Sequence, residues 1–450
     1  MKKLHALFLV TLLATPLLRA EPAEWAQVPE ILARIQAPVF PARDFVITNY
    51  GAVADGKTDC TAAIGKAIDA CAGSGGGSVV VPAGEFSTGP VHLKSGVNLH
   101  LDTNATLKFS TDPRAYLPPV FTRFEGVECY NYSPFIYAFG QKNVAVTGEG
   151  TLDGQATEEN WLSWKGKKGG TNNQTAANNR LKKMADDGVP VEQRRFGEGD
   201  YLRPNFIQFY RCRNVMVEGV RIRRSPMWEI HPVLCSNVIV RGVDIVSHGA
   251  NNDGCDPESC RDVLIENCRF DTGDDCIAIK SGRNADGRRV GVPSVNLIIR
   301  GCTMRDGHGG VTIGSEISGS CSNVFAENCE MSSSNLTCAL RLKSNAVRGG
   351  VLQNIFMRNV KVGQVSNSVL QIDFLYEEGT NGIYMPVAHN VAMENVTVDH
   401  TPRVLNVRGF PGAEISNVRI YNSTFKQIVK PDVVKDADVK LVNCSLEPAK

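Results

Sequence analysis

The chain has 450 residues, with 48 Lys+Arg against 47 Asp+Glu and a formal net charge of +1. That balance predicts neither the basic face of a nucleic-acid binder nor a membrane-surface protein. Hydrophobic residues at 42% and charged residues at 21% suit a chain with a sizeable core rather than a disordered one, and the 42 glycines announce many turns. The first 20 residues read as a secretory signal peptide: Met1-Lys2-Lys3, an apolar stretch from Leu4 to Leu18, then Ala20 before polar Glu21. Such a stretch is shorter than the roughly 20 residues that span a bilayer, so the mature protein is expected in the periplasm or outside the cell. Residues 21–44 are expected as an N-terminal segment, and 45–450 as the main domain.

Within Asp59 to Cys71, the apolar positions Ile64, Ala67, Ile68 and Cys71 predict a short amphipathic helix with Thr58 or Asp59 as N-cap. A glycine-rich turn from Gly73 to Gly77 leads to a strand at Val79–Val81, and the helix is expected to cap the open end of the stacked strands downstream. From residue 143 onward a nine-residue string recurs ten times, starting at Asn143, Asn214, Asn237, Asp262, Asn296, Asn323, Asn354, Asn390, Asn417 and Asp438. Its alternating apolar positions mark short half-buried strands, and Gly or Asn at the sixth place marks a turn where a left-handed backbone is cheap. Spacings of 21 to 36 residues from Asn214 fit one coil of a solenoid with loops of varying length. The expectation is an all-β, single-domain right-handed parallel β-helix with an N-terminal capping helix.

Cys268, Cys302, Cys329 and Cys444 hold the seventh place of their copies, where other copies carry Val. Cys212, Cys235, Cys260 and Cys321 each precede a copy by two residues. These two files read as stacked, buried thiols rather than disulfides or zinc ligands. The repeat is interrupted over about 155–203, a polar insertion containing Trp161 and Trp164. It is expected to lie near the substrate site, with the two Trp stacking on a terminal sugar and Lys165, Lys167, Lys168, Arg194 and Arg195 meeting an acid group. Buried Trp anchors under a solvated loop are the competing reading.

Between the strings a second strand of each coil ends at a Ser, and aligning Ser259, Ser281, Ser315 and Ser344 gives a register. Asp253 then stacks near Asp275, and Asp274 near His308, with Arg341 and Lys343 farther along the same face. Crowded carboxylates raise one pKa, which supplies a protonated acid for glycosidic cleavage, while two Asp on adjacent coils can hold a water between them. Turn-making or calcium-ligating Asp is the structural alternative. Arg341 and Lys343 together suit a carboxylated ligand.

At these residues the chain resembles glycoside hydrolase family 28, the polygalacturonases. The family's Asn-Thr-Asp segment matches Asn251-Asn252-Asp253, with Asn252 in place of Thr; its Asp-Asp pair matches Asp274-Asp275, its Gly-His-Gly matches Gly307-His308-Gly309, and its Arg-Ile-Lys matches Arg341-Leu342-Lys343. The likeness runs from about residue 45 to 445. It implies an inverting hydrolase of α-1,4-galacturonosyl linkages, with Asp274 as general acid, Asp253 and Asp275 activating water, and His308 supporting the acid. Arg341, Lys343, Tyr376, Asn251 and Lys280 are the substrate-binding residues expected on this basis. The segments around His308 and Arg341 look most like the bacterial exo-acting branch. No metal or cofactor is expected, and the partner is an acidic polysaccharide or oligogalacturonide met by a monomer. Alternatives are a galacturonidase acting on rhamnogalacturonan fragments or substituted galacturonan, an endo-polygalacturonase, a pectate lyase, and a non-catalytic polysaccharide-binding β-helix.

Overall fold

The computed structural model describes residues 24–166 and 172–449; the predicted leader lies outside the described residues, as do Lys167 and Lys168. Every one of the ten repeat strings supplies a strand of one 13-stranded parallel sheet, from Lys142–Gly148 to Ala437–Val442. A 12-stranded parallel sheet follows it around each coil. The third face holds a four-stranded sheet ending at Ile230–Val233 and a six-stranded sheet starting at Ile277–Ile279. Single bridges through Cys255 and Glu258 join these two, so the third face is continuous across the coil that carries Asp253. This is the expected parallel β-helix.

Stacking in register explains the repeat. The first inward position forms a file of Val215, Val238, Val263, Leu297, Val324, Ile355, Val391 and Val418, each pairing with the next and all buried. A single coil exposes that file to water, and its neighbours remove it, so burial at about 25 cal/mol per Å² accrues only when coils stack. Both ends of the string carry left-handed backbone. The sixth place does so as expected, for example Asn267 (φ 56°) and Asn328 (φ 55°). The first place does too: Asn214, Asn237, Asn296 and Asn323 have φ from 56° to 63°. Here Asn also forms a ladder, the Nδ2 of each donating to the Oδ1 of the previous coil, as from Asn237 to Asn214 at 2.9 Å and from Asn323 to Asn296 at 3.0 Å. Gly would permit the turn but could not make the ladder.

The cysteines are free, and all but the half-buried Cys444 are buried. Cys212, Cys235 and Cys260 form one file, continued by Ser294, whose Oγ accepts from the amide of Cys260 at 3.2 Å. The helix Thr61–Gly73 buries Ile64, Ala67, Ile68 and Cys71 against the first strands, and Asp59 Oδ1 accepts from the Thr61 amide at 2.9 Å. A second short helix, Val28–Arg34, lies on the outside of the 13-stranded sheet. Trp25, Val28 and Ile31 pack there on Leu264, Ile298, Phe325 and Phe356.

The insertion forms a 3-10 turn at Trp161–Lys165 and a helix at Thr175–Asp186. Both Trp are buried in an aromatic cluster with Tyr116, Phe135, Tyr132 and Tyr201, which corrects the expectation that they stack on a sugar. Their large apolar area is taken up by the core, as the competing reading held. An antiparallel hairpin, Val120–Phe124 with Val127–Asn131, stands beside the insertion and was not legible in the sequence.

Candidate active site

The register drawn from the Ser positions holds. Cys255 pairs with Ile277 and Ile277 with Val311, which sets Asp253 beside Asp275 and Asp274 beside His308 on successive coils. Thr312 pairs with Arg341, so the Cys338–Lys343 strand continues the same face. One carboxylate oxygen from each of Asp253, Asp274 and Asp275 lies within 4.8 Å of the others.

The three carboxyls differ in depth and partners. Asp253 and Asp275 are 4% and 1% exposed, whereas Asp274 is 20% exposed, the most open of the three carboxyls in the pocket lining. Asp275 accepts from Thr312 Oγ1 at 2.9 Å and from Lys343 Nζ at 2.8 Å, with Arg341 Nη1 at 3.6 Å. Asp274 Oδ1 lies 2.8 Å from His308 Nδ1. Asp253 has Lys280 Nζ at 3.6 Å and a buried Oδ1 without a hydrogen-bond partner.

Protons distribute accordingly. Burial, then the Asp274 charge, push the Asp253 carboxyl up to about 8. Burial also works against ionisation of Asp274, but the His308 hydrogen bond and charge overcome it and hold that carboxyl below the ordinary range. The same bond raises His308. Like charges at this separation cannot all ionise, as expected from the sequence. The raised carboxyl is, however, Asp253 rather than Asp274, because the imidazole pairs with the partly exposed carboxyl, whereas buried Asp253 has no hydrogen bond on Oδ1 and only Lys280 at 3.6 Å.

The expected binding residues separate into two kinds. Lys343 is buried and committed to Asp275, so it shapes the carboxylate cluster as well as the pocket. Lys280, expected to bind substrate, is buried too: its ammonium lies 3.6, 3.5 and 3.2 Å from Asp253, Asp256 and Glu316 and 4.3 Å from the centre of the Trp228 ring. Four neighbours leave it balancing internal charge. The Tyr376 ring faces Lys343 Nζ at 5.4 Å and Arg341 Cζ at 5.9 Å. Asn251 lines the pocket with a left-handed backbone (φ 56°), its Oδ1 accepting from buried Arg203 at 2.8 Å. Asn252, in the place of the family's Thr, points inward and bonds Ser247, Gly249 and Ser225.

The pocket over this cluster has a volume of about 180 Å3. The insertion supplies Lys165, Asn178 and Lys182 to its lining, and the hairpin supplies Glu125. Glu125, Asn178 and Lys182 were missed in the sequence, as was the acidic lining residue Glu316. Arg194 and Arg195 do not reach the pocket: Arg194 is buried on Asp286 at 2.6 Å, and Arg195 covers the Tyr130 ring.

Comparison with known proteins bears on the family and the fold. The family model for glycosyl hydrolases family 28 matches residues 197–403, and that for rhamnogalacturonase A/epimerase, pectate lyase-like, matches 45–115. A hyperthermoactive exopolygalacturonase from Thermotoga maritima is similar in structure with a TM-score of 0.91 at 45% identity, covering 94% of this chain and 95% of that one. A probable polygalacturonase of Vitis vinifera is 27% identical over 85% of this chain and 74% of its own length. An exo-poly-alpha-D-galacturonosidase of Dickeya chrysanthemi is 28% identical over 84% of this chain and 62% of its own. Four motifs in one register, on this solenoid and with this likeness, place the chain in family 28 of the glycosyl hydrolases, among enzymes of the polygalacturonase type.

Proposed function

We propose that the enzyme removes galacturonate from the end of α-1,4-linked galacturonan, with Asp274 protonating the leaving oxygen and Asp253 and Asp275 activating the water. The observation that carries this reading is one partly exposed carboxyl set beside two buried ones in a walled, lysine-rich pocket of about 180 Å3. Asp274 alone among the three is open enough to reach a glycosidic oxygen. The cluster's proton has to pass from Asp253 to Asp274, which leaves Asp253 ionised beside Asp275 as the water-activating pair. Lys343 and Tyr376 line the pocket where a uronate carboxylate would lie, and Arg341 stands beside them against Asp275 and the Tyr376 ring. A groove open at both ends would admit a polymer, and the insertion and hairpin close one side of it.

Incubation with polygalacturonate and analysis of early products tests the proposal. Monomer with little loss of viscosity is expected, and a rapid viscosity loss with mixed oligomers would make the enzyme endo-acting. The carboxylate spacing favours a second reading of the stereochemistry: inverting pairs usually stand about 6.5–9.5 Å apart and retaining pairs about 5–5.5 Å. A water held between Asp253 and Asp275, rather than between acid and base, reconciles the tight cluster with inversion. NMR of the first-formed anomer decides, β for inversion and α for retention. For location, the leader predicted over residues 1–20 would deliver the chain to the periplasm or the medium. No described helix is long and apolar enough to cross a membrane.

A further inference from the structure

The hairpin turns at Glu125 (φ 42°) and Gly126 (φ 82°), and its tip is seated on the coils that carry the catalytic cluster. Gly126 O accepts from the Arg283 amide at 3.0 Å, and a Cβ on Gly126 would come within 2.9 Å of both Arg283 and Glu316. Its second arm is tied down as well. The Glu128 amide donates to Asp286 at 2.8 Å, and Arg289 bonds the Glu128 carboxylate at 2.6 Å. Glu125 is thereby fixed in the pocket lining with Asp253, Asp274 and Asp275.

Three side chains from the insertion meet Glu125. Asn178 Nδ2 donates to Oε2 at 2.9 Å, Lys182 Nζ lies 3.5 Å from Oε2, and Lys165 Nζ lies 3.7 Å from Oε1. Burial alone would raise this carboxyl, but Lys165, Lys182 and Arg283 hold it down to about 2. It is therefore an acceptor at any working pH, and both ammoniums stand beyond ordinary hydrogen-bond length from it. An acceptor between two cations complements a ligand presenting a hydroxyl beside a carboxylate. A galacturonate at the non-reducing end offers both, its 4-hydroxyl next to its carboxyl-bearing carbon. An internal galacturonate has no proton on that oxygen, because the oxygen is in the glycosidic bond.

We propose that Glu125 with Lys165 and Lys182 is a specificity subsite for the chain-terminal galacturonate, Glu125 accepting the free 4-hydroxyl and the lysines taking that sugar's carboxylate. This rests on the galacturonan reading above. The test compares trigalacturonate with an otherwise equal oligomer whose terminal residue is 4,5-unsaturated and lacks the 4-hydroxyl. The wild type should prefer the saturated oligomer by about 10- to 100-fold in kcat/KM, the scale of a hydrogen bond to a charged group. Glu125→Ala should abolish that preference, and Lys182→Met should raise KM for both oligomers about tenfold with kcat little changed. A wild type without preference, or a folded Glu125→Ala that keeps the full preference, overturns the inference. If Glu125→Ala does not fold, Lys182→Met decides, and an unchanged KM overturns it. A wild type that cleaves neither oligomer overturns the galacturonan reading beneath it and the inference together, whereas release of galacturonate without end preference sinks the subsite alone.

Discussion

Asp253→Asn is expected to stabilise the protein while removing its activity. The native carboxyl is buried, has an oxygen without a hydrogen-bond partner, and titrates at about 8 instead of 3.8. At pH 7 the folded chain therefore holds a proton there that the unfolded chain has released. Each pH unit above the unfolded value weakens folding by about 1.4 kcal/mol, so the cost reaches about 4 kcal/mol at pH 7 and levels off above about pH 8. The sign follows from a raised acid: the folded state binds more protons between pH 4 and 8, and its stability falls as pH rises through that window. Asn has the shape of the protonated carboxyl and carries none of this dependence. With an unfolding entropy of roughly 2.1 cal/mol/K per residue over about 400 residues, 4 kcal/mol corresponds to about 5 °C in Tm. Thermal unfolding of both proteins from pH 4 to 9 should show a Tm difference that is near zero at pH 4, grows to about 5 °C at pH 7 and levels off at about 7 °C above about pH 8. A constant difference, or a variant less stable at pH 7, would refute the assignment of the proton to Asp253. Loss of activity in the stabilised variant is the expected trade at a strained site.

Asp274→Asn should act in the opposite sense on stability. Its depressed pKa contributes stability that is present above pH 3.8 and lost as pH falls below it, and the raised His308 contributes below pH 6.5 and loses its share as pH rises through its folded value. The variant should therefore be destabilised most between those limits, and turnover should drop by about 10²- to 10⁴-fold as the proton donor is lost. Near-normal turnover would remove the acid assignment. Lys343→Ala should lower kcat as well as raise KM, because its ammonium holds Asp275 at 2.8 Å, whereas Arg341→Ala, at 3.6 Å, should act mainly on KM by about 10- to 100-fold. Equal kinetics for the two variants would argue against that division. Activity should fall as the galacturonan becomes methyl-esterified, measured on pectins of graded esterification. Equal cleavage of free and fully esterified chains would contradict carboxylate recognition.

The register of the catalytic face was legible because a solenoid repeats it. Each third-face strand near the site ends at a Ser, so counting back from Ser259, Ser281 and Ser315 reproduces the pairing of Asp253 with Asp275 and of Asp274 with His308. The string that builds the 13-stranded sheet was equally plain, since one alternation serves every coil. The wall of the pocket was not. The hairpin and the insertion helix belong to no repeat, and their seat is set by contacts between distant segments, such as Gly126 under Arg283 and Arg194 on Asp286. Two Trp in a polar stretch look alike whether they meet a sugar or a core, and Tyr116 and Phe135 decide the matter from some 25 to 50 residues upstream.

Depth was the other quantity a register cannot supply. Three stacked carboxyls tell that a proton is retained, but which one retains it depends on how far each lies from water and on what meets it there. His308, itself 53% exposed, can pair only with the carboxyl at the rim, and the lysines reach inward to Asp275 and more loosely to Asp253. Of the three, the raised carboxyl is thus the buried one with an unpaired oxygen, Asp253, while the partly exposed Asp274 is held below the ordinary range by His308. On the proposed reading, a substrate enters from the side of the rim carboxyl. The same approach sets an uncharged glycosidic oxygen against Asp274, where a protonated carboxyl is the better neighbour. Substrate binding would in this way favour the proton on Asp274, the shift the proposed reaction requires, whatever charge the sugar carries elsewhere.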